Sequence, residues 1–141
     1  MRIVVIDDDT AMTDLLQILL ETESIEVIAT NSGQAGISKT KQFDPDLIVL
    51  DLMMPDVDGW QICKEIRGFS KVPILILSAL DSPGLIAEAL DAGADDYLIK
   101  PVTKSMLLAR VNRLASRSKM NGRHSQTVTI PNKSLGPNFQ E

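Results

Sequence analysis

With 141 residues, 44% of them hydrophobic, the chain has room for one ordinary domain with a single core, and a multi-domain reading is excluded. A formal net charge of -5 and the lack of a long basic block exclude DNA or RNA binding through phosphate attraction by this chain alone. No apolar run approaches the roughly 18 residues of a membrane span, and one cysteine, Cys63, cannot form an internal disulfide, so a cytoplasmic protein in a reducing compartment, with no membrane contact, is expected.

Short apolar runs alternate with longer amphipathic segments, which predicts five βα units and a parallel sheet. The first strand is expected over Arg2–Asp7, followed by a helix over about Thr10–Glu21 with Leu15, Leu16, Leu19 and Leu20 on its apolar side. A second strand, Ile25–Ala29, leads into a helix after Asn31 and Ser32, either of which can cap its free N–H groups. The third, Leu47–Leu50, is continuously apolar, as required where helices cover both faces of a sheet, and it ends on Asp51. Pro55 and Gly59 bracket a loop before a helix over about Trp60–Arg67, which turns Ile62, Cys63 and Ile66 inward and makes Cys63 a buried structural thiol. The fourth strand, Ile74–Leu77, stops at Ser78. The helix after it, about Pro83–Ala92, ends at Gly93, a residue suited to the left-handed turn that closes helices. The fifth strand, Tyr97–Ile99, stops at Lys100-Pro101, where a tight turn aiming Lys100 would suit a cis bond and an ordinary trans proline is the alternative. The last helix covers about Thr103–Ala115, with Leu107, Leu108, Val111 and Leu114 at helical spacing. Residues 118–141 read as a polar tail or linker, with a brief strand-like alternation at Thr127–Ile130 and a solvated histidine at His124.

Asp7, Asp51, Ser78 and Lys100 each fall at or just past the carboxyl end of a predicted strand, the edge where open parallel sheets form their sites. Carboxylates gathered there repel one another unless a cation neutralises them. Oxygen ligands from Asp7 or Asp8 with Asp51 suit a hard ion such as Mg²⁺. A carboxylate can also attack phosphorus to give an acyl phosphate, with a cation and a lysine stabilising the transferring oxygens. Asp51 is the candidate nucleophile, Lys100 the candidate partner of the phosphoryl group, and Ser78 a hydrogen-bond donor to it. Any one aspartate alone reads as a cap or turn residue, and only their joint placement favours chemistry.

The sequence resembles the receiver domain of bacterial two-component response regulators over residues 1 to about 117. The resemblance rests on Val4-Val5-Ile6-Asp7-Asp8-Asp9, on Asp51-Leu52-Met53-Met54-Pro55-Asp56-Val57-Asp58-Gly59, on Leu77-Ser78-Ala79, and on the run from Gly93 to Pro101. It implies a flavodoxin-like, doubly wound (βα)5 fold of strand order 2-1-3-4-5 and a switch rather than an enzyme, assisting only its own phosphorylation and dephosphorylation. The phosphoryl group would reach Asp51 from a sensor histidine kinase or phosphotransfer protein. Asp8 and Asp51 would ligate Mg²⁺ directly with the backbone carbonyl of Met53, and Asp7 through water, with Asp9 either a bystander or a participant. Ser78 would follow the phosphoryl group inward and Tyr97 would rotate toward the vacated space, remodelling the face of helix 4, strand 5 and helix 5. In receivers that dephosphorylate quickly, the residues two after the phosphorylated Asp and two after the Ser or Thr are often polar; here Met53 and Leu80 imply slow self-dephosphorylation.

The winged-helix transcription factors of that family usually carry a basic residue in helix 4 for cross-dimer ion pairs, and Leu85 to Ala92 has none, whereas Asp96 and Arg110 match that subgroup. A homodimer through that face and a role in transcription regulation therefore stay open. So does the choice between a single-domain regulator and the amino-terminal piece of a longer one. A competing reading comes from Ile6-Asp7-Asp8-Asp9-Thr10, which partly imitates the nucleophile motif of haloacid-dehalogenase-like phosphatases and would make Asp7 the nucleophile. It fails on order, because that family has its lysine before the later acidic pair, and here Asp95 and Asp96 precede Lys100.

Overall fold

The structure, a computed structural model, describes residues 1–55 and 57–120, so the alternation at Thr127–Ile130 and His124 lie outside the described residues. Five strands, β1 (Arg2–Ile6), β2 (Glu26–Thr30), β3 (Leu47–Leu50), β4 (Ile74–Ser78) and β5 (Asp96–Ile99), form one sheet in the order β2-β1-β3-β4-β5. All four pairings are parallel. The connecting helices are α1 (Thr10–Glu21), α2 (Gly33–Phe43), α3 (Gly59–Arg67) and α4 (Pro83–Asp91), and α5 (Lys104–Met120) follows β5. This is the order and layering that the resemblance implies.

Because side chains alternate along a strand, each apolar run feeds two cores. Val4, Ile6, Ile48, Leu50, Ile74 and Ile76 pack under α2, α3 and α4 through Ile37, Ile62, Ile66 and Ala89. Ile3, Val5, Leu47, Val49, Leu75 and Leu77 meet Leu16 and Leu20 of α1 and Leu107, Val111 and Leu114 of α5. Cys63 is fully buried in the first core, and burial pushes its thiol up to about 11. α2 lies so close to β1 that a Cβ on Gly36 would stand 2.3 Å from Ile6 Cδ1. Among the described residues no helix is long and apolar enough to cross a membrane.

Several boundaries differ from the sequence reading, each for a local reason. Asp7 lies just past β1, and β2 is shifted by one residue, because the ladder pairs Arg2 with Glu26 and Ile6 with Thr30. Ile25 is buried all the same, ahead of the strand. Leu15 is 47% exposed, since it stands about 100° around α1 from the buried Leu16. Ser32 takes the cap of α2, accepting from Ala35 N at 3.1 Å, which leaves Asn31 for other partners. α5 continues to Met120, past the expected tail boundary. The Lys100-Pro101 bond is cis, and Gly93 adopts a φ of 121° after α4.

The far end of the sheet is tied by one arginine. Arg67 donates to the carbonyls of Gly93 and Val72 at 2.9 and 2.6 Å and to Asp95 at 2.7 Å, and Asp95 also accepts from Ile74 N at 2.8 Å. These contacts join the end of α3, the start of β4 and the turn into β5. They fix the two strands that bring Ser78 and Lys100 to the opposite edge.

Candidate functional site

The site is built from the residues that follow β1 and β3, from the end of β4, and from the turn after β5. Asp7 is 2% exposed and Asp51 7%, so two carboxylates stand together with little water to screen them. Lys100 Nζ bridges them, 3.0 Å from Asp7 Oδ2 and 3.2 Å from Asp51 Oδ2. Burial raises the Asp7 carboxyl above its ordinary value, against the lowering effect of the Asp9 amide and of Lys100. Burial also works against the Lys100 ammonium, but the hydrogen bonds and charges of Asp7 and Asp51 outweigh it and hold the lysine above its ordinary value.

The remaining carboxylate oxygens are tied to the backbone. Asp7 Oδ1 accepts from Asp9 N at 3.0 Å, and Asp51 Oδ1 from Met53 N at 3.0 Å. Asp9 is turned the other way and caps α1, accepting from Ala11 N and Met12 N. That leaves Asp8 between two pinned residues, exposed at the mouth of the site. Carboxylate oxygens of Asp7, Asp8 and Asp51 all lie within 4.8 Å of one another. Asp9, which caps α1, is not one of this carboxylate group. Three carboxyls face a single ammonium, and the donors are all oxygen, so the set fits a hard divalent cation such as Mg²⁺.

Met53 is 56% exposed at the rim and is bridged to Asp58, which caps α3 through Trp60 N at 2.9 Å. The loop after Asp51 returns so closely that a Cβ on Gly59 would stand 2.5 Å from Leu52 Cα. Glycine is needed there for the loop to close over the site.

Ser78 is fully buried and its Oγ accepts from Leu80 N at 3.3 Å, while the Tyr97 hydroxyl donates to Leu80 O at 2.7 Å. Burial pushes the Tyr97 phenol above its ordinary value, opposed by the nearby Ser78 hydroxyl. Ser78 and Tyr97 thus hold the two ends of Leu80 between them, an arrangement the sequence pattern does not reveal. Ser82, not Ser78, stands at the N-cap of α4. On the neighbouring face Asp96 is paired with Arg110 at 2.9 Å and with Arg113.

A further residue touches the acidic turn, one that the sequence pattern marks only as a cap candidate. Asn31 Nδ2 donates to the Asp7 carbonyl at 2.8 Å and to Thr13 Oγ1 at 3.2 Å. The only sequence signal was two capping residues in a row where a helix needs one.

Comparison with known proteins agrees with this geometry. The family model described as the response regulator receiver domain matches residues 3–112. The cell cycle response regulator CtrA of Brucella ovis is 40% identical over 130 residues, which is 91% of this chain and 54% of that protein. The chain thus spans about half the length of such curated relatives, and the CtrA protein of Brucella abortus gives the same values. Among solved structures, a two-component response regulator from Clostridium difficile superimposes with a TM-score of 0.79 at 34% identity, covering 82% of this chain and 96% of that one. The beryllofluoride-activated receiver domain of Klebsiella pneumoniae RstA gives 0.78 at 31% identity, with 82% and 98% covered. These matches give the phosphatase reading no support.

The strained electrostatics of the site are open to a direct test. A carboxyl raised in the folded state contributes stability that is complete below its unfolded value of 3.8 and is lost as the pH rises through the folded value. At neutral pH the ionised Asp7 therefore costs stability. Asp7→Asn in metal-free protein is expected to raise stability at pH 7, by on the order of 1 kcal/mol, and the gain should shrink as the pH falls toward acid. Urea unfolding with a chelator present, repeated from pH 7 to pH 5, measures it. A loss of stability at pH 7 would show that the Lys100 bridge outweighs the burial cost.

Proposed function

This chain belongs to the response regulator receiver family, and from that premise we propose that it is a phosphoacceptor switch in which Asp51 takes a phosphoryl group with Mg²⁺ as cofactor. The donor is a sensor histidine kinase or a phosphotransfer protein, and the setting is the cytoplasm. The observation that carries the reading is the Asp51 carboxylate, buried just past β3, with carboxylate oxygens of Asp7 and Asp8 within 4.8 Å and the Lys100 ammonium at 3.2 Å.

Asp8, Asp51 and the Met53 carbonyl would hold the cation directly and Asp7 through water. When bound, it neutralises the clustered carboxylates and the charge of the phosphoryl oxygens. An Asp51 oxygen attacks phosphorus in line, so the new O–P bond forms as the bond to the donor imidazole nitrogen breaks. Lys100 already touches Asp51 Oδ2, and it follows the negative charge onto the phosphoryl oxygens. The protein has no separate substrate to turn over. Its residues serve only its own phosphorylation and dephosphorylation.

The Leu80 contacts support a route for the switch. A Ser78 hydroxyl drawn to the phosphoryl group gives up its bond to Leu80 N, and Tyr97 is bonded to the carbonyl of the same residue. Displacement of Leu80 is thereby felt by Tyr97, on β5 beside α4. The face of α4, β5 and α5 is the surface we assign to output and to a homodimer. It exposes Leu90, Ile99 and Met106, and Asp96 there is paired within its own chain by Arg110 and Arg113. Transcription regulation is a compatible output.

Acetyl phosphate with Mg²⁺ should label the protein on Asp51, located by mass spectrometry, with the label absent from Asp51→Asn. Full labelling of that variant, or label on Asp7, would contradict the assignment.

The lifetime of the phosphoryl group is a second consequence. Hydrolysis needs water held in line with the bond being broken, and the residues two after Asp51 and two after Ser78 border that approach. The exposed Met53 and half-buried Leu80 offer water no hydrogen bond from their side chains. Slow self-dephosphorylation is expected, and Met53→Asn with Leu80→Glu should speed phosphate release by roughly tenfold or more, a barrier change of about 1.4 kcal/mol. Release is followed after removing the donor at fixed Mg²⁺. Equal rates in the two proteins, or a wild-type half-life of seconds, would show that these side chains do not control access.

A further inference from the structure

We infer that Asn31, in the turn between β2 and α2, is a positioning residue for the cation, holding the acidic turn after β1 in the shape that gathers Asp7 and Asp8 with Asp51; the inference rests on the function proposed above.

Asp7 is where the parallel ladder runs out. Its N–H still donates to Thr30 O at 3.1 Å, but its carbonyl lies past the end of β1 and takes its hydrogen bond from Asn31 Nδ2 at 2.8 Å. That hydrogen bond is part-buried, with Asp7 inside and Asn31 on the exposed side, and its loss costs about 0.5–1.5 kcal/mol, so the turn has reason to change shape if that amide is lost. The amide is itself oriented. Its second hydrogen reaches Thr13 Oγ1 at 3.2 Å, and the Thr13 hydroxyl, 2% exposed in α1, donates to Thr10 O at 3.1 Å.

Each neighbouring contact passes this placement on to the carboxylates. With the Asp7 carbonyl fixed, Asp7 Oδ1 holds Asp9 N, and Asp9 in turn caps α1. Asp8 is confined between them, which sets the side from which it approaches Asp7 and Asp51. The residue type is specific to the task. Serine at this place is too short to span both acceptors, and aspartate would point an oxygen at a carbonyl. Ser32 already caps α2, so Asn31 is not needed for that helix. Loss of a partner that orients a metal ligand typically costs about 10–100-fold in metal affinity.

Mg²⁺ binding is measured by calorimetry on the full chain for wild type, Asn31→Ala, Thr13→Val and Thr13→Ser. Labelling by acetyl phosphate is measured across Mg²⁺ concentrations, and thermal melting without metal reports folding. Asn31→Ala should weaken Mg²⁺ by about tenfold, the lower end of that range. Its labelling rate should reach the wild-type plateau once Mg²⁺ saturates, because the nucleophile and Lys100 are untouched. Thr13→Val should shift Mg²⁺ affinity in the same direction by less and Thr13→Ser should restore it, which keeps the test decisive if Asn31→Ala is too unstable to measure. Unchanged Mg²⁺ affinity in both Asn31→Ala and Thr13→Val, or a lowered plateau with unchanged half-saturation, would overturn the inference. Wild-type protein that binds no Mg²⁺ would instead overturn the function on which it rests.

Discussion

Two buried carboxylates bridged by one ammonium govern this molecule. Asp7 and Asp51 stand at the ends of adjacent strands, and Lys100 bridges them from the turn after β5. Placing like charges out of water is unfavourable, and a fold selected for stability alone has no reason to do it. The arrangement fits the cation site proposed above. On the function proposed above, a divalent cation would relieve the excess negative charge, and the cost of clustering the carboxylates would become affinity for the ion.

The rest of the architecture serves to deliver these groups to one edge. Four parallel pairings put the ends of five strands side by side, and continuous apolar runs keep the strands from slipping, since a one-residue slip would exchange the two cores. At the far end, Arg67 and Asp95 lock β4 and β5 to α3. At the near end, Leu80 is gripped by Ser78 at its amide and by Tyr97 at its carbonyl. A change felt by the buried hydroxyl therefore has a short mechanical path to the α4, β5 and α5 face. Such a path moves a population only as far as the phosphoryl group binds the two arrangements differently.

Much of this was legible in the residues. The strands announce themselves because both faces are buried, and the site because Asp7, Asp51, Ser78 and Lys100 each end one. The three-aspartate run was ambiguous, since any of the three can cap a helix or bind a cation. Only the geometry separates Asp9, which caps α1, from Asp7 and Asp8, which face Asp51. Leu15 was misassigned to the apolar side of α1 because four leucines in six residues cover more of a helix than its neighbours can bury. Asn31 and the Leu80 grip were invisible for a different reason. Both depend on backbone carbonyls, whose directions follow from where a strand ends in space, and no side-chain pattern records that.

Whether the buried acidic pair holds a cation is decided by a Mg²⁺ titration followed by backbone amide NMR. A single saturable site is expected, with the largest shifts at Asp7 to Asp9, at Asp51 to Met53 and at Lys100, weakened strongly by Asp51→Asn. Small shifts spread over the acidic surface without saturation, or a response that Asp51→Asn leaves unchanged, would contradict it.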